Sequence, residues 1–354
     1  MIKNSYQVIG VMSGTSLDGL DMVYVKLQKS DKWLFEILCY ETVPYSIYWR
    51  QKLSTLVHLS KEEMELVDVE YTNYLSTTIN NFIEKNSIQK IDAICSHGHT
   101  ALHRPDLGYT VQIGNRKELA NLTRNTVVCD FRVQDVKLGG QGAPLVPIGD
   151  ELLFSQYEFC LNLGGFANVS TGLNRNRIAY DICPVNIVLN NYAEKLGEIF
   201  DKNGDMASQG ILNKKLLFEL NSLSFYKKEP PKSLGLEWAE QNVFPILEAS
   251  GDTPKNILRT FIEHIAIQIT KNLEYKSLVK VLITGGGAYN TFLIERLSAN
   301  TNSKIVIPSK FLIEYKEALI FGLLGILRLR NEINCLSSVT GASKNHSSGM
   351  IYKP

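Results

Sequence analysis

Apolar residues crowd the opening of the chain in three runs, residues 6–13, 20–28 and 33–42, separated by short polar turns. Runs of this length and composition predict three successive strands, a β-meander. Two helical stretches follow, near 46–56 and 61–85. In the second, Met64, Val67, Tyr71, Leu75, Ile79 and Phe82 recur at helical spacing and mark one buried face. A strand over Ile91–Cys95, a short helix over 115–123 and a strand over Thr126–Cys129 complete a mixed α/β half. The second half repeats part of this plan. Strands are expected over Glu158–Leu163, Ala167–Thr171 and Arg177–Tyr180, then a helix from about Pro184 to Phe200. Further helices near 208–223, 234–246 and 253–275 lead to a strand over 279–284. The longest apolar run, Ala318–Leu327, carries two glycines and is too short to span a bilayer, so it reads as a buried helix.

Two halves that each open with three strands suggest a duplication with a cleft between lobes. The glycine- and proline-rich crossing Gly139-Gly140-Gln141-Gly142-Ala143-Pro144 sets the boundary. The expected lobes are residues 1–150 and 151–354, with the last residues as candidates for packing back on the first lobe.

Between the first two predicted strands lies Gly10-Val11-Met12-Ser13-Gly14-Thr15-Ser16-Leu17-Asp18-Gly19-Leu20-Asp21. Glycines let backbone N–H groups approach phosphate oxygens, Ser13, Thr15 and Ser16 can add hydrogen bonds, and Asp18 or Asp21 could hold a hydrated magnesium ion. An Asp-Gly turn between strands reads equally well as an ordinary hairpin. Two further glycine turns, at Gly164-Gly165 and at Gly285-Gly286-Gly287, each follow an apolar strand-like run. Three such turns spread over both halves favour one nucleotide held between two lobes.

The chain has 354 residues, 44% of them hydrophobic, enough for two packed cores, and a net charge of +1. That balance does not suit nucleic acid or an anionic membrane, so a small substrate is expected. The N-terminus shows no signal-peptide pattern, which predicts a cytoplasmic protein. Six cysteines are scattered without a Cys-x-x-Cys pair and read as reduced, buried thiols.

Several motifs together resemble the anhydro-N-acetylmuramic acid kinase family. They are Gly10–Gly19, Ser96-His97-Gly98-His99-Thr100, Asp130-Phe131-Arg132, Gly139–Pro147, Asn162–Asn168, Pro231-Lys232-Ser233, Gly285–Gly287 and Ser338–Ser343. The resemblance implies the two-lobed α/β fold of the sugar kinase, Hsc70 and actin superfamily (ribonuclease H-like), with ATP and Mg2+ in the interdomain cleft. It also implies ring-opening hydrolysis of anhydro-N-acetylmuramic acid coupled to phosphorylation, in peptidoglycan recycling, by a homodimer.

On that resemblance Asp181 is the catalytic base. By position alone the first reading is an aspartate that stabilises the N-terminus of the helix after it, and the resemblance reverses that order. The nucleotide falls to Gly14, Thr15, Ser16, Leu17, Asp18, Gly19, Leu20 and Asp21 in the first lobe, and to Gly164, Gly165, Gly285, Gly286 and Gly287 in the second. His97, Arg132, Asn186 and Glu317 fall to the sugar, Arg132 as a bidentate partner for its carboxylate. The spacing His97-x-His99-x3-His103 could bind zinc, but hydrogen bonding to sugar hydroxyls explains it without metal. One departure stands out. Where the family has Asp-Thr-Gly-Pro-Gly-Asn, this chain reads Asp181-Ile182-Cys183-Pro184-Val185-Asn186, with side chains where backbone is expected to approach the ligand. A kinase for another amino sugar, or a muropeptide sensor without turnover, are therefore the competing readings.

Overall fold

β1 (Ser5–Ser13), β2 (Gly19–Lys29) and β3 (Trp33–Pro44) form the expected meander in a computed structural model that describes residues 3–172, 176–273 and 278–354. β4 (Ala93–Ser96) then pairs parallel to β1, so that Val11 lies beside Ser96. A separate hairpin, β5 (His99–Arg104) with β6 (Tyr109–Ile113), precedes β7 (Val127–Cys129), which runs parallel to β4. The sheet order is β3-β2-β1-β4-β7, with the strand Met350–Tyr352 added antiparallel at the edge.

The second sheet is built from β8 (Phe159–Leu163), β9 (Phe166–Thr171), β10 (Ile178–Pro184), β11 (Lys280–Thr284) and β12 (Lys304–Val306). Its order is β10-β9-β8-β11-β12, with β8-β9-β10 antiparallel and β8, β11 and β12 parallel. Numbered within each half, both sheets run 3-2-1-4-5 with the same strand directions. That shared topology is the duplicated ribonuclease H-like plan of the sugar kinase, Hsc70 and actin superfamily.

The chain divides into one unit of residues 1–153 with 315–354 and a second of residues 154–314. The boundary expected at 150 lies close to 153, and the last residues, candidates for packing back on the first lobe, do so from residue 315 onward. The reason is packing. In the helix Lys310–Leu329, residues 318–327 are buried, and the turns face β1 and β4 without large side chains between. A Cβ on Gly10 would lie 1.9 Å from the Ala318 carbonyl oxygen, and one on Gly325 2.2 Å from Cys95 Sγ.

Each unit has its own core. In the first, Tyr71, Leu75, Ile79 and Phe82 of the helix Lys61–Lys85 pack with Ile9, Val11 and Ile94 from the sheet. That helix starts at Ser60, whose Oγ accepts from Glu63 N while the Glu63 carboxylate accepts from Ser60 N, a reciprocal cap. In the second core the helix Pro254–Leu273 lays Phe261, Ile262, Ile265 and Ile269 against Leu161, Val169 and Ile283.

Several expectations change in detail. The helix expected to reach Phe200 spans Asn186–Glu194, and Gly197 then turns with a φ of 88°. The stretch near 208–223 is two helices, Asp205–Ser208 and Lys214–Asn221, because Gly210 between them sits under the Lys255 carbonyl. The stretch near 234–246 breaks into Leu236–Asn242 and Phe244–Ala249. The end of the predicted helix at 274–275 lies outside the described residues. The β5–β6 hairpin, β12, Met350–Tyr352 and the helices Val133–Lys137, Pro147–Leu153 and Thr291–Ala299 were not expected; most are too short to show a period.

The close contact at Gly10 makes a sharp test. Gly10→Ala should lower stability by about 4 kcal/mol or more, because backbone must move to admit one methyl group. Gly108→Ala, at a φ of 78° with open space around it, should cost only about 1–2 kcal/mol. Urea unfolding of both variants measures the contrast, and equal losses would show that the helix does not bear on β1 at Gly10.

Candidate functional site

In open α/β sheets, ligands bind outside the carboxyl ends of the parallel strands. Both units carry their candidate residues on that edge. In the first unit the turn after β1, His97 after β4 and Asp130 to Arg132 after β7 all lie there, and the His97 amide donates to the Val11 carbonyl at 3.0 Å. In the second, Gly164-Gly165 follow β8 and Gly285–Gly287 follow β11, while Asp181 lies midway along β10, which continues to Pro184 beyond the strand end expected at Tyr180.

The turn Gly14–Asp18 is the part of the first motif that leaves its groups accessible. Thr15, Ser16 and Asp18 are exposed, and Leu17 takes a φ of 59° while its amide donates to the Gly14 carbonyl. Gly19, Leu20 and Asp21 belong to β2 instead. A Cβ on Gly19 would lie 2.5 Å from the Val43 carbonyl oxygen, Leu20 is buried in the core, and Asp21 accepts from Thr42 Oγ1 at 2.6 Å. Ser13 was read as a ligand donor, but it is buried. Its Oγ bonds to Tyr45 OH at 2.6 Å and to His99 Nδ1 at 2.7 Å, and Tyr45 OH bonds to Tyr71 OH at 2.6 Å. This buried chain braces the turn from behind.

His97, Arg132 and Glu317 come together in the first unit. The His97 ring is buried, with Nδ1 2.9 Å from the Gly98 carbonyl and Nε2 2.9 Å from Arg132 Nε. The carbonyl must take a proton from Nδ1, which leaves Nε2 to accept from the guanidinium. Burial and the charge of Arg132 hold the imidazole well below its ordinary pKa, so it stays neutral. Arg132 Nη1 donates to the Gly142 carbonyl at 2.7 Å. Burial lowers its guanidinium to about 10 while Glu317 acts the other way, so the charge persists at neutral pH. Glu317 projects from the helix Lys310–Leu329 at a solvent-exposed position, with Arg132 and Lys316 near enough to favour its charge. One turn on, Phe321 stacks on His97 with centroids 4.8 Å apart.

Asp130 was not singled out as a site residue. It holds a φ of 57°, and burial pushes its carboxyl up to about 6. Its signal in the sequence was only its place beside Arg132. The three histidines of the spaced pattern do different jobs: His99 serves Ser13, and His103 Nδ1 pairs with Thr110 Oγ1 at 3.0 Å. Among the described residues they form no metal cluster.

In the second unit the glycine turns meet Asn186. Its Nδ2 donates to the Leu163 carbonyl at 3.2 Å, its amide to the Gly164 carbonyl at 3.3 Å, and the Val185 amide to the Gly165 carbonyl at 2.8 Å. Gly164, Gly165 and Gly286 present open faces, whereas Gly285 and Gly287 are glycine for packing, since Cβ atoms there would meet Asn162 Oδ1 at 2.5 Å and Leu163 Cβ at 2.7 Å.

Asp181 is held by the segment after Pro231. Its Oδ2 accepts from Leu234 N at 2.8 Å and its own amide donates to the Lys232 carbonyl at 3.1 Å. Burial raises its carboxyl and the Leu234 amide only partly reverses this, the setting of a general base. The Lys232 ammonium lies over the rings of Phe225 and Tyr180, at 5.2 and 5.8 Å. The motif Pro231-Lys232-Ser233 thus fixes Asp181, through the Lys232 carbonyl and the Leu234 amide that follows it.

The sequence profile of the anhydro-N-acetylmuramic acid kinase family matches residues 6–354. The chain belongs to that family. Curated relatives of that name include the proteins of Haemophilus influenzae, 33% identical over 97% of this chain and 97% of its own, and of Pseudomonas fluorescens, 34% identical over 97% and 98%. A third, from Acinetobacter baylyi, is 33% identical over 95% and 96%.

The family departure at 182–185 has a structural answer. Ile182, Cys183 and Val185 are buried members of the second core, so their added bulk points inward. Val185→Gly should therefore cost about 3 kcal/mol through the lost valine and the freed backbone, and Ile182→Thr about 2 kcal/mol or more through a cavity and a buried hydroxyl. Urea midpoints check this; unchanged midpoints would mean that these side chains do not fill the core.

Proposed function

We propose that this chain is an ATP-dependent kinase that hydrolytically opens the anhydro ring of anhydro-N-acetylmuramic acid and phosphorylates the product to N-acetylmuramic acid 6-phosphate, in peptidoglycan recycling. The observation that carries the reading is Asp181, a desolvated carboxylate at the bulge of β10 anchored by the Leu234 amide, in a chain that matches the family from residue 6 to 354.

Asp181 takes a proton from a water that attacks the anomeric carbon; the bond from that carbon to the bridging anhydro oxygen breaks, and the freed oxygen takes the γ-phosphoryl group of ATP as ADP leaves. Arg132, with His97 and Glu317 beside it, holds the sugar's carboxylate and hydroxyls, and Asn186 adds a further polar contact. The accessible Thr15, Ser16 and open-faced Gly14, Gly164, Gly165 and Gly286 suit the phosphates of ATP. Leu17, Gly19, Leu20, Gly285 and Gly287 shape that backbone rather than touching the nucleotide with side chains. Asp18, exposed at the turn, and Asp21 beside Thr42 are the carboxylates that would hold Mg2+, which when bound offsets the charge of the transferring phosphoryl group. No helix among the described residues is long and apolar enough to cross a membrane. The family assignment favours a cytoplasmic homodimer.

With Ile182, Cys183 and Val185 facing the core, the loop gives little support to a different amino sugar, and retention of Asp181 argues against a sensor. An assay supplying ATP with the anhydro sugar, N-acetylmuramic acid or N-acetylglucosamine separates these readings. Turnover of the anhydro sugar alone is expected.

Arg132→Ala should weaken sugar binding by about 2–4 kcal/mol, the cost of an unpaired carboxylate in a partly buried pocket, with little effect on ATP. Calorimetry with each ligand tests it, and equal losses would make Arg132 structural.

Asp181→Asn should keep nucleotide binding and lower turnover by roughly a hundredfold or more. In the unmodified enzyme the base works only when ionised, so kcat/KM should fall as pH drops through a value above the ordinary aspartate pKa of about 3.9. Product made in isotopically labelled water should carry the label at the anomeric carbon. Near-normal turnover in the variant would move the role to Glu317.

A further inference from the structure

The helix Val133–Lys137 carries a fully buried carboxylate, Asp135, that the kinase reading does not use. Two residues from the C-terminal segment face it. Cys335, 1% exposed, has its Sγ 3.0 Å from Asp135 Oδ1, and His346, 6% exposed, has its Nε2 3.5 Å from the same oxygen. The three candidate ligand atoms lie within 4.8 Å of one another.

The histidine shows what is missing. Its Nδ1 lies 3.1 Å from the Lys344 carbonyl, which can only accept, so the ring proton belongs on Nδ1. Nε2 is then a lone pair, buried without a hydrogen-bond partner and aimed at a carboxylate oxygen. Asp135 Oδ1 has the Cys335 thiol and Thr340 as donors, but Nε2 has none, and a cation set between ring, thiolate and carboxylate would satisfy it.

We propose that Asp135, Cys335 and His346 form a zinc site that fastens the C-terminal segment to the helix behind Arg132. Oxygen, sulfur and nitrogen donors together suit zinc, whereas magnesium and calcium take oxygen. Ideal tetrahedral zinc bonds would set the donor atoms about 3.3–3.7 Å apart, close to the 3.0 and 3.5 Å observed. Binding releases the Cys335 thiol proton to solvent, and the thiolate and carboxylate together neutralise the dication. A water fills the fourth position. The outer donors are already in place: Thr340 Oγ1 donates to Asp135 Oδ1 at 2.8 Å, Gly142 N to Oδ2 at 2.7 Å, and the Lys344 carbonyl fixes the imidazole tautomer. The site also bears on Arg132, because the Gly142 carbonyl accepts from its guanidinium.

The full-length chain, stripped with chelator, is titrated first with cobalt(II) and then with zinc. One equivalent of cobalt should give thiolate-to-metal charge-transfer absorption that zinc abolishes, and zinc should raise the thermal midpoint. Cys335→Ser should lose the charge-transfer band. Both Cys335→Ser and His346→Ala should weaken zinc binding, measured against a chromophoric competitor, by on the order of a hundredfold or more. The unmodified chain alone can overturn the proposal. Absence of a thiolate band with cobalt would do so, as would imidazolium ¹⁵N resonances for His346 that zinc does not move, since a proton would then bridge the ring to Asp135. Zinc affinity unchanged in both variants would place the metal elsewhere.

Discussion

The first unit depends on the absence of a side chain at Gly10. β1 lies so close to the helix Lys310–Leu329 that a Cβ there would overlap the Ala318 carbonyl, and Gly325 grants the same approach to Cys95 of β4. Close packing of this kind leaves the helix few places to sit, because backbone atoms cannot rotate out of the way as side chains do. It thereby sets where Glu317 emerges and where Phe321 meets His97. A glycine that the sequence offered as part of a phosphate loop thus acts first as a spacer, and the charged cluster at Arg132 follows from it.

That cluster is electrostatically uneven by construction. His97 is kept neutral by burial, so it accepts from Arg132 without adding a second positive charge. Arg132 stays cationic with Glu317 near enough to favour its charge. In the second unit Asp181 is treated in the opposite manner, with one amide donor and a desolvated carboxylate whose proton affinity is raised. The first unit therefore carries a partly buried cation and the second a carboxylate of raised proton affinity, each set by its own surroundings.

Much of the fold was legible because the strands are long and the helix Lys61–Lys85 keeps its period for 25 residues. The three glycine turns were legible for the same reason, since each ends an apolar run. The sequence could not tell glycines that face solvent from glycines that face backbone: Gly286 and Gly287 are neighbours with opposite surroundings. Nor could it tell hydroxyls apart, as Ser13 turns inward while Ser16 is exposed. That the last residues return to the first lobe could be expected, but not where the return begins, because residue 315 is set by contacts with strands far earlier in the chain. Met350–Tyr352, three residues long, has no pattern of its own and is a strand only because Val127–Cys129 offers an edge.

The loop from Asp181 to Asn186 shows how a departure from a family pattern can leave the chemistry in place. Strict alternation would put Asp181 and Cys183 on one face of β10, and a carboxylate among core residues would be costly. The register slips between Asp181 and Cys183, so that Ile182 is an extra residue in the strand. A bulge of this kind re-aims the side chains on either side of it. Here Ile182 and Cys183 both join the core while Asp181 stays partly accessible. The bulky residues are therefore accommodated by the backbone irregularity, which buries them and still leaves the neighbouring carboxylate within reach of solvent.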